Sequence, residues 1–203
     1  MKVVGLGGSL GAPSRSLAAL RLALSGAAES GADTQLLDLR ELHLPLYVPT
    51  DTSVPDGARR LLDAAGSCDA MVWSSPLYQG TVSGAFKNAL DWLHLLGDHD
   101  PPFLSDRIIG LVATAGGVHG LQAVNTMEFS VRALRAFAIP LVVTVGLSVQ
   151  AFDDEGNLTD IAVRTSLEDL GREVARIASR FHASDKLESE CAKAAKRLAM
   201  AAA

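Results

Sequence analysis

Short apolar runs alternate with amphipathic segments along most of the chain, and this alternation constrains the fold more than any other feature. The apolar runs predict five strands, at residues 1–6, 34–39, 70–74, 108–113 and 141–145. The amphipathic segments predict helices at residues 16–28, 56–65, 83–95 and 121–137, and a last long helix that includes residues 163–181. Strands that alternate with helices in this way form a parallel sheet covered by helices on both faces. Ligands of such sheets bind beyond the carboxyl ends of the strands, so the loops that follow the strands become the candidate site.

Composition restricts the classes of protein to which the chain can belong. Its 203 residues are 48% hydrophobic and 20% charged, which is enough apolar material for the core of one folded domain. The net charge of −5 provides no broad electropositive surface, so neither nucleic acid nor a membrane is expected as a partner. No apolar run reaches the length of about eighteen residues that predicts a membrane span, and the first run meets Gly5 too early for a signal peptide. We therefore expect a soluble cytoplasmic protein.

The cysteines give no sign of a disulfide or a metal centre. Cys68 and Cys191 lie far apart in the sequence, and neither belongs to a C-x-x-C motif. This spacing favours two free, buried thiols in a reducing cytoplasm, and no structural zinc site is expected.

The last long helix carries one apolar stripe with a spacing of 4-3-4-3-4. Its members are Val163, Leu167, Leu170, Val174, Ile177 and Phe181. The stripe predicts a face packed against the chain's own sheet, although helices of this kind also form dimer interfaces. From Ser184 onward the chain is rich in Ala, Lys and Glu, which favours either an extra helix or a frayed end. We predict one domain over residues 1–182 and a tail over residues 183–203.

The loop after the first predicted strand has the composition of a phosphate-binding loop. It contains Ser9, Ser14, Arg15 and Ser16 among small residues and leads directly into a helix. Hydroxyl donors, an arginine and the amides of a helix N-terminus all favour an anion such as phosphate. The loop lacks the Gly-Lys-Ser/Thr of a Walker motif, and Leu10 stands where a dinucleotide fingerprint has its third glycine. The alternative is an ordinary serine- and glycine-rich start of a helix.

Two further loops at the carboxyl edge offer surfaces for a flat ring. After the third strand, residues 76–80 combine a proline, an aromatic residue and a glycine, which suits a rigid ledge under a planar heterocycle. After the fourth strand, residues 114–120 form a glycine-rich turn in which His119 is the one titratable side chain. An ordinary strand-to-helix loop and a surface histidine are the alternatives. Together the three loops favour a mononucleotide with a planar ring.

These segments resemble the NADPH-dependent FMN reductase family. The resemblance rests on Gly7-Gly8-Ser9 with Ser14-Arg15-Ser16, on Ser75-Pro76-Leu77-Tyr78 leading to residues 83–92, and on Thr114-Ala115-Gly116-Gly117. It covers residues 1–182 and implies a flavodoxin-like three-layer α/β/α sandwich whose five-stranded parallel sheet has the order 2-1-3-4-5. It also implies FMN and NADPH as cofactors.

The resemblance implies a role for each matching residue. Ser9, Ser14, Arg15 and Ser16 would hold the FMN phosphate. Pro76, Leu77, Tyr78, Gln79 and Gly80 would lie along the ribityl chain and the flavin ring. Thr114, Ala115, Gly116, Gly117 and His119 would line the pyrimidine side. No catalytic side chain is expected, because the flavin itself carries the hydride chemistry.

The resemblance also implies a homodimer or homotetramer, with the helix that contains Lys87 and Asp91 at a subunit contact. The apolar residues of that helix, Phe86, Leu90 and Trp92, support the same expectation, because they offer more apolar surface than one face can bury internally.

Two reactions fit these residues, and two other classes of protein are alternatives to them. The enzyme either reduces FMN with NADPH and supplies it to a monooxygenase, or keeps FMN bound and reduces a quinone, azo dye or metal oxyanion. Residues 76–78 and 117–120 favour the first. A flavodoxin-type electron carrier is disfavoured because aromatic residues are only 5% of the chain. A serine hydrolase with Ser9, Asp91 and His94 is disfavoured because the last two residues belong to a predicted mid-chain helix.

Overall fold

The computed structural model describes residues 1–153 and 155–201, with side chains described as far as Phe181. Its strands are β1 (Lys2–Gly7), β2 (Asp33–Asp38), β3 (Ala70–Tyr78), β4 (Thr81–Val82), β5 (Ile108–Thr114) and β6 (Phe137–Val145). Its helices are α1 (Arg15–Glu29), α2 (Leu39–Leu42), α3 (Asp56–Ser67), α4 (Gly84–Trp92), α5 (Leu121–Ala133), α6 (Ser148–Ala151) and α7 (Ile161–Ala201). A 3₁₀ turn (Leu93–Leu96) follows α4. None of the helices in these ranges has the length and apolar character needed to cross a membrane.

The parallel sheet has the strand order β2-β1-β3-β5-β6, which confirms the predicted order of the five long strands. The predicted five-stranded parallel sheet is confirmed, and the structure adds one short strand, β4, which pairs antiparallel with the end of β3. Gln79 and Gly80 form the two-residue turn between them, and both have positive φ, at 48° and 83°. Such turns match the twist of the flanking strands, so β3 continues past residue 74 into a hairpin.

The boundary between α5 and β6 was also predicted wrongly. The predicted helix extended to residue 137 and the strand began at residue 141, whereas α5 ends at Ala133 and β6 begins at Phe137. Arg135 has a φ of 63°, which takes the backbone out of the helical conformation. Pro140 lies inside β6, where it is tolerated because β6 is an edge strand and its register with β5 shifts between Ile109 and Leu111.

Helices cover both faces of the sheet, and α1 and α7 share one of them. The stripe on α7 buries Leu167, Leu170 and Val174 in the core on that face, which confirms the predicted packing against the sheet. Phe181 is 39% exposed, and its ring lies 5.5 Å from that of Phe137. The backbone of α7 continues as a helix to residue 201, so the predicted tail starts inside this helix.

Helix α4 buries its apolar residues inside the chain. Ser83 caps this helix, because its Oγ accepts a hydrogen bond of 3.2 Å from Phe86 N. Phe86, Leu90 and Trp92 are all at most 6% exposed, with Phe86 packed edge-on against Trp73. The expected surplus of apolar surface on this helix is therefore wrong, and it gives no argument for a subunit contact.

Cys68 is a free thiol in the core, as the sequence predicted. Its Sγ donates a hydrogen bond to the carbonyl oxygen of Ala65, and burial raises its pKa to about 11. The thiol is therefore protonated, and unreactive, at neutral pH. Cys191 lies outside the described side chains.

Two glycines determine how closely α1 and α7 approach each other. A Cβ atom at Gly171 would overlap the backbone oxygen of Ala23, and one at Gly26 would overlap the backbone oxygen of Glu168. The two helices therefore pack backbone to backbone at this crossing, which positions α1 and the loop that precedes it.

We expect Gly171→Ala to lower the free energy of unfolding by about 1–3 kcal/mol, because the added methyl group must push α7 away from α1. Gly66→Ala is the matched control: its Cβ would meet no atom closer than 3.8 Å, so better helix propensity should stabilise the protein by about 0.5–1 kcal/mol. Urea denaturation of the two variants and the unsubstituted chain measures both effects. Equal effects of the two substitutions would contradict the packing described here.

Candidate functional site

The carboxyl ends of β1, β3 and β5 meet at one edge of the sheet, and a cleft of about 340 Å³ lies beyond them. The cleft is lined by Ser9, Gly11, Ala12, Pro13, Arg15, Ser16, Pro76, Leu77, Tyr78, Thr114, Gly116 and Ser148. The three loops that the sequence singled out therefore come together around one cavity.

The loop after β1 turns tightly over β3. Gly8 has a φ of 100°, and its N–H donates a hydrogen bond of 3.2 Å to the carbonyl oxygen of Ser74. A side chain at Gly7 would overlap the same carbonyl group. The two glycines thus bring the start of the loop directly onto the end of the neighbouring strand.

Three serine hydroxyls form a buried network at the start of α1. Ser14 is the N-cap, and its Oγ accepts hydrogen bonds from Ser9 N at 2.9 Å and from Leu17 N at 3.2 Å. The Oγ of Ser9 lies 3.2 Å from it and the Oγ of Ser16 lies 3.3 Å from it. Ser9 and Ser16 line the cleft, whereas Ser14 is outside the lining and, as the helix cap, fixes the shape of the loop.

Arg15 brings an unpaired positive charge to this loop. In the described part of the chain, no carboxylate lies within ion-pair distance of its guanidinium, and the first turn of α1 contains no acidic residue. The N-terminus of α1 adds a partial positive charge to the same place. Together with the serine hydroxyls, this arrangement favours a phosphate group.

The hairpin of β3 and β4 forms the second wall of the cleft. Pro76 and Leu77 line the cavity, and Tyr78 lines it with 53% of its surface exposed. Ser75 stabilises the hairpin, because its Oγ accepts a hydrogen bond of 3.0 Å from Ser83 N, directly after β4. The turn residues Gln79 and Gly80 lie beyond the lining.

The third wall follows β5. Thr114 is 4% exposed and lines the cleft together with Gly116, where an added Cβ would meet nothing within 4 Å. Ala115 and Gly117 belong to the same turn but do not line the cleft. His119 is exposed just before α5 and does not line the cleft either. This wall therefore presents backbone and open space to the cleft.

Sequence reasoning missed Ser148, which comes from a fourth loop. It is 5% exposed, lines the cleft, and donates its N–H to the carbonyl oxygen of Ala115 at 2.9 Å. Its position directly after the fifth long strand was the available signal, since the carboxyl end of that strand reaches the same edge. Residues 11–13 also line the cleft, and no hydroxyl or charged group on their side chains marks them in the sequence.

The serine hydrolase alternative finds no support in the geometry. The Oγ of Ser9 has Ser14 and the carbonyl oxygen of Gly11 as its partners. His94 and Asp91 instead line a different cleft, where the His94 ring lies 6.0 Å from that of Tyr47. Ser9 thus lacks the adjacent base that a nucleophile needs.

A larger cavity of about 780 Å³ lies between β6 and α7, away from the carboxyl ends of the strands. Its two arginines already have acidic partners: Arg172 pairs with Glu29 and Asp169, and Arg176 pairs with Glu173. Because these charges are compensated, the cavity lacks the unpaired donors that the smaller cleft has.

Comparison with known proteins identifies the family of this chain. The sequence profile of the NADPH-dependent FMN reductases matches residues 1–150. The chain therefore belongs to the NADPH-dependent FMN reductase family. It is an NAD(P)H-dependent flavin oxidoreductase, and its cofactors are FMN and NADPH.

Individual relatives agree with this assignment. A probable NADPH:quinone oxidoreductase 2 from Oryza sativa is 28% identical over 183 residues, which cover 84% of this chain and 85% of the relative. An NADPH-dependent FMN reductase ArsH from Shigella flexneri is also 28% identical, over 88% of this chain and 69% of its own length. The solved structure of FerB, an NAD(P)H:acceptor oxidoreductase from Paracoccus denitrificans, matches 89% of this chain and 98% of its own with a TM-score of 0.71 and 20% identity. When only the five long strands are counted, the order β2-β1-β3-β5-β6 becomes 2-1-3-4-5. Together with the FerB match, this order shows that the chain has the flavodoxin-like fold.

The residues around the cleft fit FMN. Arg15, which has no acidic partner in the part of the chain that the structure describes, and two hydroxyls suit the phosphate, and the open backbone at Gly116 lets a flat ring approach closely. The volume of about 340 Å³ lies within the usual range of small-molecule sites, roughly 300–1,000 Å³.

Proposed function

We propose that this enzyme reduces FMN with NADPH in the cleft at the carboxyl edge and releases reduced FMN to a flavin-dependent monooxygenase. The observation that carries the proposal is the guanidinium of Arg15, which has no acidic partner among the described residues and lines the cleft beside the serine network. Ser9, Arg15 and Ser16 hold the phosphate. Ser14 keeps the loop in the shape that aims those groups into the cleft.

The remaining walls hold the rest of the flavin. Five residues of the hairpin, from Pro76 to Gly80, lie along the ribityl chain and the ring. On the other side, the turn from Thr114 to Gly117, followed by His119, faces the pyrimidine part of the ring. Backbone amides in this turn stabilise the negative charge that develops there on reduction.

The chain supplies binding and orientation, and FMN supplies the capacity to accept a hydride from NADPH. Of the residues that line the cleft, only Arg15 and Tyr78 carry ionisable side chains. No paired acid and base is therefore available at the cleft wall, and hydride transfer requires none. The chain binds the flavin ring along one side and leaves one face of the ring open for the nicotinamide of NADPH.

A second candidate function keeps FMN bound and passes electrons to a quinone. Exposed apolar side chains lie on the loops that contribute residues to the cleft or directly next to those residues in the sequence, and they suit an apolar acceptor. They are Leu10, Tyr78, Val118, Leu147 and Val149, each at least 45% exposed. The rice relative, which bears the name of a quinone oxidoreductase, supports the same candidate.

We further propose a cytoplasmic location and a homodimer or homotetramer that uses the exposed face of α4. The free thiol of Cys68 fits a reducing compartment. On the exposed face of α4, Lys87 pairs with Asp91 beside an open cleft of about 390 Å³ that Tyr47 and Phe103 also line. A partner subunit could bury this cleft.

The reaction is tested with the purified full-length chain before and after desalting. NADPH oxidation, followed by absorbance, should require added FMN, and desalting should remove the yellow colour because the flavin is an exchangeable substrate. Colour retained through desalting, with NADPH oxidation that depends on an added quinone, would favour the second candidate. A colourless protein that oxidises no NADPH with FMN present would overturn both.

We expect Arg15→Ala to weaken FMN binding about ten- to a hundred-fold, because a charged hydrogen bond to a phosphate contributes roughly 1.5–3 kcal/mol. Riboflavin, which has no phosphate, should bind equally well to both proteins. Arg21→Ala, on an exposed position of the same helix, is the control and should leave both affinities unchanged. Quenching of flavin fluorescence measures the affinities, and an equal loss for FMN and riboflavin would contradict the assignment of Arg15.

A further inference from the structure

Two buried serines, Ser74 and Ser75, interrupt the apolar pattern of β3 just before it reaches the cleft. The four strand residues before them are apolar and buried, as expected for a strand that helices cover on both faces. Both serines are 0% exposed, so each hydroxyl would destabilise the fold unless it had a hydrogen-bond partner. Each has one, and the two partners lie on opposite faces of the sheet.

The two hydroxyls bond to different elements because side chains alternate along a strand. Ser74 lies on the same face as Val72, which packs with α1, and its Oγ donates a hydrogen bond of 2.8 Å to the carbonyl oxygen of Ser16. Ser75 lies on the other face, and its Oγ accepts the hydrogen bond from Ser83 N. Ser74 therefore holds the start of α1, whereas Ser75 holds the hairpin.

Ser74 anchors both ends of the loop after β1. Its backbone carbonyl accepts the hydrogen bond of 3.2 Å from Gly8 N, where the loop leaves the sheet. Its Oγ bonds to the Ser16 carbonyl in the first turn of α1, where the loop has ended. A carbonyl oxygen has two lone pairs, so that of Ser16 can accept this bond in addition to the helical one. One residue of β3 thus fixes the segment 8–16 relative to the sheet.

Ser74 also lies two positions before Pro76, the first hairpin residue that lines the cleft. It therefore connects the groups proposed for the phosphate, Arg15 and Ser16, with the wall proposed for the ring. FMN carries its phosphate and its ring on one molecule, so both are bound together only when these two walls have the right separation. A site that is held in this arrangement before binding loses less free energy in ordering its groups.

We propose that Ser74 is a positioning residue for FMN. Its hydroxyl holds the start of α1 at the distance from β3 at which Arg15 and Ser16 meet the phosphate while the ring lies along the hairpin. Ser74 acts through the loop, since it is not itself among the residues that line the cleft. The inference rests on the proposed function, because it takes the phosphate to bind at this loop. It makes Ser74 one source of a preference for FMN over riboflavin.

Ser74→Ala removes the hydroxyl and keeps the strand. We expect it to weaken FMN binding about three- to ten-fold, as for one lost hydrogen bond, and to change riboflavin binding less than about two-fold, because riboflavin has no phosphate. Ser75→Ala is the matched control, since it removes an equally buried hydroxyl that bonds to the hairpin instead. It should change both affinities by the same factor. Quenching of flavin fluorescence on the flavin-free, full-length chain measures them.

A second measurement tests whether Ser74 acts through the group that it positions. In an Arg15→Ala background, Ser74→Ala should weaken FMN binding less than about two-fold, whereas an effect through general stability would multiply with that of Arg15→Ala. Ser74→Cys keeps the shape of the side chain with a weaker donor and serves if Ser74→Ala does not fold. It should weaken the binding of FMN by a smaller factor and leave that of riboflavin unchanged.

The inference is wrong if Ser74→Ala leaves FMN binding unchanged or weakens FMN and riboflavin equally. It is also wrong if Ser75→Ala shows the same selectivity, if the effects of Ser74→Ala and Arg15→Ala multiply, or if the unsubstituted chain binds FMN no more tightly than riboflavin. Selective loss of FMN binding in Ser74→Ala, in a protein that oxidises no NADPH with FMN, would instead overturn the proposed function and retain the role of Ser74.

Discussion

Residue 7 must be glycine because the end of β1 lies directly against the carbonyl group of Ser74 on β3. The next amide, from Gly8, donates a hydrogen bond to that same carbonyl oxygen. This contact fixes where the loop after β1 leaves the sheet and brings it over the start of the β3 hairpin. The cleft and its serine network depend on this close approach.

The site is built mainly from backbone and hydroxyl groups, and its charge comes from one residue. The Oγ of Ser14 accepts hydrogen bonds from one amide of the loop, Ser9 N, and from one amide of α1, Leu17 N, so the chain itself maintains the conformation of the loop. Among the described residues Arg15 has no carboxylate partner, in contrast to Arg172 and Arg176, whose charges are compensated by neighbouring acids. The difference in compensation, more than the size of the cavities, identifies the anion-binding site.

Most of the fold was predictable from the sequence, because alternation of apolar runs and amphipathic helices leaves few topologies open. The errors occurred where single residues override a pattern. Arg135 ends α5 in a left-handed conformation that a non-glycine residue rarely adopts, so an apolar segment that continues the helical pattern becomes the start of β6. Gln79 does the same in the hairpin, where no glycine marks the first position of the turn.

The candidate site was predicted in outline, since three loops rich in glycine and serine follow parallel strands. Its details were not, because hydrogen-bond partners depend on packing. Ser14 has the same residue type as Ser9 and Ser16, but only the fold shows that it is the helix cap and is outside the lining. Ser148 follows an edge strand whose start was misplaced, and no motif marks it as part of the cleft.

The most direct test of the flavin site is a titration of the ¹⁵N-labelled full-length chain with FMN, followed by amide chemical shifts. Binding at the carboxyl edge predicts that the largest shifts occur at Ser9, Ser16, Leu77 and Gly116, with the riboflavin titration sparing the first two. Shifts concentrated around Leu141 and Arg176, in the cavity between β6 and α7, would contradict the assignment of the flavin to this cleft.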